Sequence, residues 1–368
     1  MGRVSMTNAK AFTLHASRRA ILKGLGAAAI GISLVGKKSS AWAAEEPKLN
    51  FYNWDTYIGE TTLEDFKDAS GIDVNMSLFA TNDELFAKLR AGNPGYDVIV
   101  PGSEFVERMI QADMLEPLDH AKIPNIKNVS PELIDDAPYD PGRKYSMPYT
   151  WLVIGVGYRK SKVKEIPNSW KWLFDSDAYK GRIAVMSDAS ELFRNCFKYL
   201  GQSLNSDSPE LIKQAEAVLT KQKPNIKSFH EDNGQDLLLA GEVDVVMEYN
   251  GDIAQIMGED DDIDFVVPKE GAMRQSDTLA IPKGAPHPEN ALKFINFILD
   301  AKTGEEIFTT IQYPSPNAAA TALMPASYKD NAVIFPPADV MAKCEYPRYL
   351  GADFTRLLDE AMTRLRAA

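Results

Sequence analysis

The chain has 368 residues, 52 of them acidic and 40 basic, which gives a formal net charge of −12. Residues 1–43 contain seven basic and no acidic residues, so the remainder has 33 basic and 52 acidic residues, a net charge of −19. This acidity argues against nucleic acid or an anionic membrane surface as a partner and suits a cationic ligand. About 325 residues remain beyond position 43, more than one core usually holds, so the sequence predicts two domains.

Residues 1–43 have the features of an export signal. Arg18 and Arg19 precede a weakly apolar stretch rich in Gly and Ala, which is too short to span a bilayer. Ala41-Trp42-Ala43 then gives the small-x-small pattern of a cleavage site. The pattern indicates a twin-arginine signal, a mature start near Ala44 and a periplasmic location. A disordered basic tail with a chance arginine pair is the alternative.

The first predicted strand, residues 49–52, leads into a turn with two large aromatic side chains and a carboxylate. Trp54, Asp55 and Tyr57 lie in this turn. Thr61, with Glu64 three residues later, predicts a capping box at the start of the next helix. For Trp54 alone, a ring folded back on the core would be the simplest explanation.

The following elements continue in α/β order. Thr81 and Glu84 predict a second capping box, and the apolar run 96–100 is typical of a buried parallel strand. Ser103 is then placed to cap the next helix. A helix, a Gly, an acidic residue, a buried strand and a polar turn occur in the same order at 236–252.

This recurrence predicts two α/β lobes of related build. Residues 151–158 and 276–282 bracket the second lobe and are the predicted crossing segments, after which helices from about residue 288 return to the first lobe. Ligands bind outside the carboxyl ends of strands in open parallel sheets. The turn with Trp54 and the turn from Tyr249 to Asp252 both follow predicted strands, so both are candidate binding loops.

No catalytic or cofactor motif is present in the sequence. It lacks a G-x-S-x-G elbow and a phosphate-binding loop. Gly155 and Gly157 do not begin a dinucleotide-binding fingerprint, because Lys160 stands where the third Gly of that motif is required. The histidines are scattered, and the acidic run 259–262 is interpreted as a solvated loop because it lacks alternating calcium ligands. Neither a cofactor nor a metal is therefore predicted. Export would permit a disulfide between Cys196 and Cys344, although a large domain does not need one.

Several motifs together resemble the periplasmic polyamine-binding proteins, the spermidine- and putrescine-binding subunits of ABC importers. These motifs are the export signal, YNWDTYI, YDVIVPGSEFVERM, SMPYTWLVIGVGY, DASELF, VDVVMEYNGD, DFVVPKEGAMRQSDTLAIP, NALKFINFILD and YPSPNAA. The resemblance implies an α/β type II periplasmic binding protein, with two lobes joined by two crossing strands and a ligand cleft that closes between them. It assigns 44–151 to lobe 1, 152–276 to lobe 2, and 277–368 to the return to lobe 1 plus C-terminal helices.

The resemblance also implies a set of ligand-binding residues, since these positions match cleft positions of the family. They are Trp54, Asp55, Tyr57, Ser103, Asp188, Glu191, Tyr249, Asp252, Gln275, Asp277 and Tyr313. Carboxylates would hold the ammonium groups of a polyamine, and aromatic faces would cover its methylenes. Family members usually have an aromatic residue where this chain has Gln275, and the match puts Glu231 and Arg348 near the cleft. Asp252 favours a diamine such as putrescine.

Each of these residues also has a structural interpretation. Asp188 with Glu191 fits a helix N-cap and its partner, Asp252 and Asp277 fit ordinary turn residues, and the tyrosines fit half-buried packing. With the resemblance, the sequence predicts a monomeric, non-catalytic protein that captures a polyamine in the periplasm and delivers it to an inner-membrane ABC permease. The alternatives are the same fold binding another small cationic, amino-acid-derived or sugar-derived solute, and a secreted hydrolase with paired carboxylates.

Overall fold

The computed structural model describes residues 45–135, 137–231 and 233–368. The predicted export signal and its cleavage site lie outside the described residues. Within the described residues the strands are β1 (Lys48–Asn53), β2 (Asp73–Leu78), β3 (Val98–Ile99), β4 (Ser146–Pro148), β5 (Leu152–Arg159), β6 (Ile183–Met186), β7 (Ile226–His230), β8 (Val245–Tyr249), β9 (Ile263–Val266), β10 (Arg274–Gln275) and β11 (Thr278–Ala280).

The same residues form fifteen α-helices and four short 3-10 helices. The α-helices are α1 (Thr62–Ser70), α2 (Asn82–Arg90), α3 (Ser103–Gln111), α4 (Pro131–Asp135), α5 (Lys171–Phe174), α6 (Ala189–Tyr199), α7 (Pro209–Gln222), α8 (Gly234–Leu239), α9 (Asn250–Met257), α10 (Pro288–Ile298), α11 (Ala301–Ile311), α12 (Ala318–Leu323), α13 (Ala326–Lys329), α14 (Ala338–Met341) and α15 (Ala352–Ala367). The 3-10 helices are His120–Lys122, Pro124–Asn128, Pro141–Arg143 and Lys223–Asn225. None of the described helices is long and apolar enough to cross a membrane.

The strands form two separate sheets, and each sheet is the centre of one lobe. The first sheet has the order β2-β1-β3-β11-β4, in which β1 runs parallel to β2 and β3, and β11 runs antiparallel to β3 and β4. Helices α10 and α11 pack on this first lobe, where Phe294 contacts Phe51 (ring centroids 5.1 Å apart) and Phe66 (5.0 Å). The second sheet has the order β10-β5-β8-β6-β7, with β9 also paired to β5.

Helix α15 packs against α6 and α7, so the end of the chain belongs to the second lobe although α10 and α11 belong to the first. The chain crosses between the sheets from β4 to β5 and again from β10 to β11. This confirms the predicted two-lobe α/β fold with two crossing strands. The residue limits of the lobes given above stay a prediction.

The two crossings are bonded to each other. The backbone N–H of Tyr149 donates to the Asp277 carbonyl oxygen over 2.8 Å, and the Ser276 hydroxyl donates to the Thr150 carbonyl oxygen, also over 2.8 Å. Two short segments that are far apart in the sequence therefore form one hydrogen-bonded joint between the lobes.

The two predicted capping boxes have different outcomes. Thr81 caps α2 as expected, because its hydroxyl accepts the Glu84 N–H over 3.1 Å. The box predicted from Thr61 and Glu64 is wrong: Thr61 is the N-cap residue of α1, but its hydroxyl donates to Asp65 instead. Glu306 of α11 accepts the Thr61 N–H over 3.2 Å, so a distant carboxylate caps this helix start.

Both cysteines are buried and free, so the structure contains no disulfide between Cys196 and Cys344. Burial raises the pKa of both thiols. The acidic run 259–262 is only partly solvated, since Asp260 and Asp262 both pair with Arg159 at the end of β5.

Candidate functional site

A cavity of about 330 Å³ lies between the two lobes, where β1, β2, β6, β7 and β8 end. Residues of both lobes line it, and we call it the cleft. Ten of the eleven predicted site residues line the cleft, namely Trp54, Asp55, Tyr57, Asp188, Glu191, Tyr249, Asp252, Gln275, Asp277 and Tyr313. The eleventh, Ser103, does not.

Trp54 anchors the turn after β1. Its indole N–H donates to the Val100 carbonyl oxygen over 2.9 Å, and its ring packs on Phe79 with centroids 4.3 Å apart. The ring is half-buried and also lines the cleft. It is therefore fixed to the first lobe on one side and faces the cleft on the other. Asp55 is exposed, and its Oδ1 accepts the N–H of Thr56 over 2.9 Å.

Asp277 lies in the crossing between β10 and β11 and is only 7 % exposed. Its Oδ2 accepts the Tyr57 hydroxyl over 2.8 Å, and that hydroxyl lies 2.6 Å from Thr150 Oγ1. Burial raises the pKa of Asp277 to about 7; the hydrogen bond from Tyr57 opposes this shift, and the charge of Asp252 adds to it. Neutral hydroxyl groups thus orient the carboxylate, but they do not offset the free energy needed to keep it ionised in a buried position.

Asp252 lies in the first turn of α9 and accepts the Tyr313 hydroxyl over 2.7 Å. Burial raises the pKa of Asp252 to about 6, against the effect of the Tyr313 hydrogen bond and with a contribution from Asp236. Gly251 allows this contact, because a Cβ at that position would overlap the Tyr313 ring. A residue without a side chain is therefore required beside Tyr313.

Asp188 is both a helix cap and a cleft residue. Its Oδ1 accepts the Glu191 N–H over 2.9 Å, so the structural interpretation as N-cap of α6 is confirmed. Burial raises its pKa, the backbone hydrogen bond from Glu191 opposes this, and Asp83 and Asp359 add to it. The carboxylate satisfies the helix start and still contributes negative charge to the cleft.

Glu191 connects two neighbouring cleft residues. Its Oε1 accepts the Tyr249 hydroxyl over 2.7 Å and the Gln275 side-chain amide over 2.8 Å. Gln275 is 8 % exposed and occupies the position at which an aromatic wall was expected from the resemblance. This wall of the cleft is therefore a polar, hydrogen-bonded surface.

Ser103 is the first residue of α3, and Gly102 is the N-cap, so the expectation that Ser103 caps this helix is wrong. The Ser103 side chain is fully buried, and its hydroxyl has no hydrogen-bond partner among the described residues. Gly102 instead approaches the cleft: its N–H donates to Asn82 Oδ1 over 2.9 Å, and a Cβ at this position would lie 3.2 Å from Gln275 Oε1.

The cleft is strongly negative. Eight of its lining residues are acidic: Asp55, Asp188, Glu191, Glu231, Asp236, Asp252, Glu259 and Asp277. Among the described residues that line it, none is Lys, Arg or His. No group of three or more His, Cys, Asp or Glu side chains within the described ranges is arranged to hold a metal ion. Carboxylates that share one site repel each other until a cation enters.

Comparisons with known proteins agree with this geometry. The family described as "Bacterial extracellular solute-binding protein" matches residues 61–336. The chain belongs to this family.

Two relatives and one solved structure are informative about this solute-binding protein. It is 33% identical to the spermidine/putrescine-binding periplasmic protein of Salmonella typhimurium over 94% of this chain and 97% of that protein. It is 32% identical to the putrescine-binding periplasmic protein of Escherichia coli over 94% and 97% of the two chains. The spermidine/putrescine ABC transporter substrate-binding protein of Streptococcus pneumoniae superposes with a TM-score of 0.77 at 29% identity, over 87% of this chain and 98% of that one.

Twelve further residues of the solute-binding protein line the cleft without having been assigned to the site from the sequence. They are Thr56, Ala80, Thr81, Asn82, Leu152, Glu231, Gln235, Asp236, Leu239, Gln255, Ile256 and Glu259. Glu231, which the resemblance had placed near the cleft, directly follows β7, and Asp236 lies in the first turn of α8. A search for acidic residues in the helix that follows each strand would have found Asp236. Arg348, expected near the cleft, does not line it and binds Glu107 instead.

Proposed function

We propose that this solute-binding protein captures a linear polyamine, with putrescine as the favoured ligand, in the periplasm and delivers it to the permease of an ABC importer. The observation that carries the proposal is the charge of the cleft: eight carboxylates and no basic side chain among its described lining residues. A neutral or anionic solute would leave this repulsion uncompensated, whereas two ammonium groups would relieve it. The names of the relatives support the same ligand class.

The aromatic residues of the cleft supply the second part of the recognition. Trp54, Tyr57, Tyr249 and Tyr313 provide surface for the methylene groups of a polyamine, and each cation–aromatic contact contributes roughly 0.5–2 kcal/mol. One ammonium group would bind near Asp277 and Asp252, which lie close enough for the charge of Asp252 to raise the pKa of Asp277.

The second ammonium group would bind near Glu191 and Asp188 on the α6 side of the cleft. Glu191 lines the cleft and is oriented there by hydrogen bonds from the Tyr249 hydroxyl and the Gln275 side-chain amide. We propose the ten cleft-lining residues predicted from the sequence as ligand contacts, and leave out Ser103 because its buried side chain does not line the cleft.

Calorimetry with putrescine, spermidine, agmatine and a neutral sugar tests the ligand class. We expect the polyamines to bind and the sugar not to bind, with Asp330→Asn, an exposed aspartate outside the cleft, as the matched control for charge. Binding of a sugar without any polyamine would contradict the proposal. Recovery of the bound compound in altered form would revive the hydrolase alternative, because a transport protein returns its ligand unchanged.

The export route and the monomeric state are parts of the same proposal that rest on the sequence. Lysine substitution of Arg18 and Arg19 together is expected to abolish export, since the twin-arginine route requires both guanidinium groups. Fractionation of cells into cytoplasm and periplasm measures this, with Lys10→Arg as the control. Light scattering coupled to gel filtration is expected to give the mass of one chain, with and without putrescine.

A further inference from the structure

Helix α3 of the first lobe presents two glutamates to the second lobe. Glu104 and Glu107 are three residues apart and so lie on one face of the helix. Glu104 Oε1 accepts a hydrogen bond from Arg194 Nη2 over 2.9 Å, and Glu104 Oε2 accepts one from the Ser190 hydroxyl over 3.2 Å. Arg194 is 1 % exposed and Glu104 14 % exposed, so this ion pair is largely removed from water.

The second glutamate binds the segment that leads into α15. Arg348 donates to Glu107 in bidentate geometry, with Nε to Oε2 at 3.0 Å and Nη2 to Oε1 at 2.7 Å. The Tyr349 N–H adds a third hydrogen bond to Glu107 Oε2 at 3.0 Å. Bidentate arginine–carboxylate pairs fix orientation as well as distance.

The two arginines are held together by their own lobe. Asn205 Oδ1 accepts both the Arg348 N–H (2.8 Å) and Arg194 Nη1 (3.3 Å), and Arg194 Nη2 also donates to the Arg348 carbonyl oxygen over 3.0 Å. The second lobe therefore presents both guanidinium groups as one preformed unit. Separation of α3 from this unit would break both ion pairs at once.

None of these four charged residues lines the cleft. Glu104 and Arg194 instead line a neighbouring cavity between α3, α6 and α15, which shares Asp188, Glu191 and Gln275 with the cleft. Their contacts join the lobes beside the cleft and beside the second crossing, where the Glu345 backbone pairs with Ala272 and Arg274.

We infer that Glu104, Glu107, Arg194 and Arg348 form an inter-lobe latch that stabilises the closed arrangement of the two lobes and so raises ligand affinity without touching the ligand. The inference rests on the proposed function insofar as closure retains the ligand. A contact made only in the closed arrangement shifts the open–closed equilibrium by its own free energy. The four residues are positioning residues for binding.

Glu107→Gln is the variant that tests the inter-lobe latch, and Glu216→Gln is its matched control. Glu216 also holds an arginine in bidentate geometry, Arg364 at 2.8 and 2.7 Å, but both partners belong to the second lobe. We expect Glu107→Gln to weaken putrescine binding about tenfold, mainly through faster dissociation, because coupling within such networks spans roughly a factor of 2 to 150. Glu216→Gln is expected to leave both quantities unchanged.

Small-angle scattering without ligand gives a second readout that does not depend on the identity of the solute. Glu107→Gln is expected to have a larger radius of gyration than the parent protein, and Glu216→Gln is not. Arg348→Met, at a position 41 % exposed and so tolerant of change, should reproduce the Glu107→Gln result if the parent fold is kept. Exchange of the two charges, Glu107→Arg with Arg348→Glu, should recover part of the lost affinity.

Equal behaviour of Glu107→Gln and Glu216→Gln in both affinity and radius of gyration would overturn the inter-lobe latch. A parent protein that does not bind putrescine would instead refute the proposed function. The scattering comparison would then still decide on the inter-lobe latch.

Discussion

The cleft and the inter-lobe latch both place carboxylates between the lobes, but they treat the charge in opposite ways. Glu104 and Glu107 each have an arginine within 3.0 Å. Asp277 and Asp252 are also buried, but each accepts a hydrogen bond from a neutral tyrosine hydroxyl group. Where the protein supplies its own cation, the carboxylate joins two parts of the fold; where it supplies only neutral donors, the carboxylate is oriented and left ready for a cation from outside.

The largest expected effect is that of Asp277→Asn. Removing one partner of a buried charge pair typically costs about 2–5 kcal/mol, so putrescine binding should weaken about 100-fold or more, measured by calorimetry. The same substitution should not destabilise the ligand-free protein, because it removes a buried carboxylate that has no cationic partner in the cleft. A smaller loss of putrescine affinity than that caused by Glu107→Gln would contradict the interpretation that the cleft carboxylates bind the ligand directly and the inter-lobe latch does not.

The second largest expected effect is that of pH, which should change binding through the cleft carboxylates. Only ionised carboxylates bind an ammonium group, and the pKa values of Asp277 and Asp252 are about 7 and about 6. Affinity should therefore fall roughly 10- to 20-fold from pH 8 to pH 6. Calorimetry in buffers of different ionisation enthalpy should detect proton release on binding near pH 7. An affinity constant over this range would contradict the assignment.

The same two groups give the opposite trend for stability without ligand. Their pKa values are raised on folding above the ordinary value near 4, so their contribution is fully present below about pH 4 and is lost as pH rises through 6 and 7. The contribution of these two groups to the free energy of unfolding of the ligand-free protein should thus decline between about pH 4 and about pH 7, as measured by denaturant unfolding, and saturation with putrescine should flatten the decline.

Gly251→Ala should have a smaller effect, about fivefold on affinity. A methyl group there would displace the Tyr313 ring and remove its hydrogen bond to Asp252, worth roughly 1 kcal/mol. Tyr313→Phe removes the same hydrogen bond without moving the ring. Because both act on one contact, the double variant should lose little more than the weaker-binding single variant; additive losses would show that the contact is not shared.

Tyr249→Phe should have the smallest effect, a loss of about twofold to threefold, since Glu191 keeps its hydrogen bond from Gln275. Tyr199→Phe is the matched control, because its hydroxyl also binds a carboxylate, Asp175, outside the cleft over 3.1 Å. Titration with putrescine distinguishes the two variants. A larger loss for Tyr249→Phe than for Asp277→Asn would mean that the α6 side, and not the crossing, dominates recognition.

Local sequence patterns predicted most of the fold but not the contacts that decide between competing partners. Thr61 and Thr81 have the same spacing to a glutamate, yet only Thr81 forms the expected cap, since Glu306 reaches the start of α1 from far along the chain. Likewise, Glu107 has the appearance of an ordinary helix surface charge, and its partner Arg348 is 241 residues away.

The turns that contain Trp54 and Tyr249 were predictable because acidic and aromatic residues follow strands, and strands of one sheet end at a common edge. The other predicted cleft residues, such as Glu191 and Asp277, came from the family resemblance. Thr150 was missed because a single threonine before a strand carries no such pattern, although its hydroxyl lies 2.6 Å from that of Tyr57. Asp188 illustrates the limit of motif reasoning, since one carboxylate performs the capping role and also faces the cleft.

The bonded joint between the crossings has a mechanical consequence. Rotation of one lobe about this joint moves atoms in proportion to their distance from it, so Asp277, which is part of the joint, is displaced least. Its geometry with Tyr57 and Thr150 should survive opening, whereas the proposed contacts between Glu191 and a ligand would be assembled during closure. A cation entering the open cleft would therefore contact Asp277 before it contacts Glu191. The distance of each residue from the joint would set this order, and the strength of each contact would not.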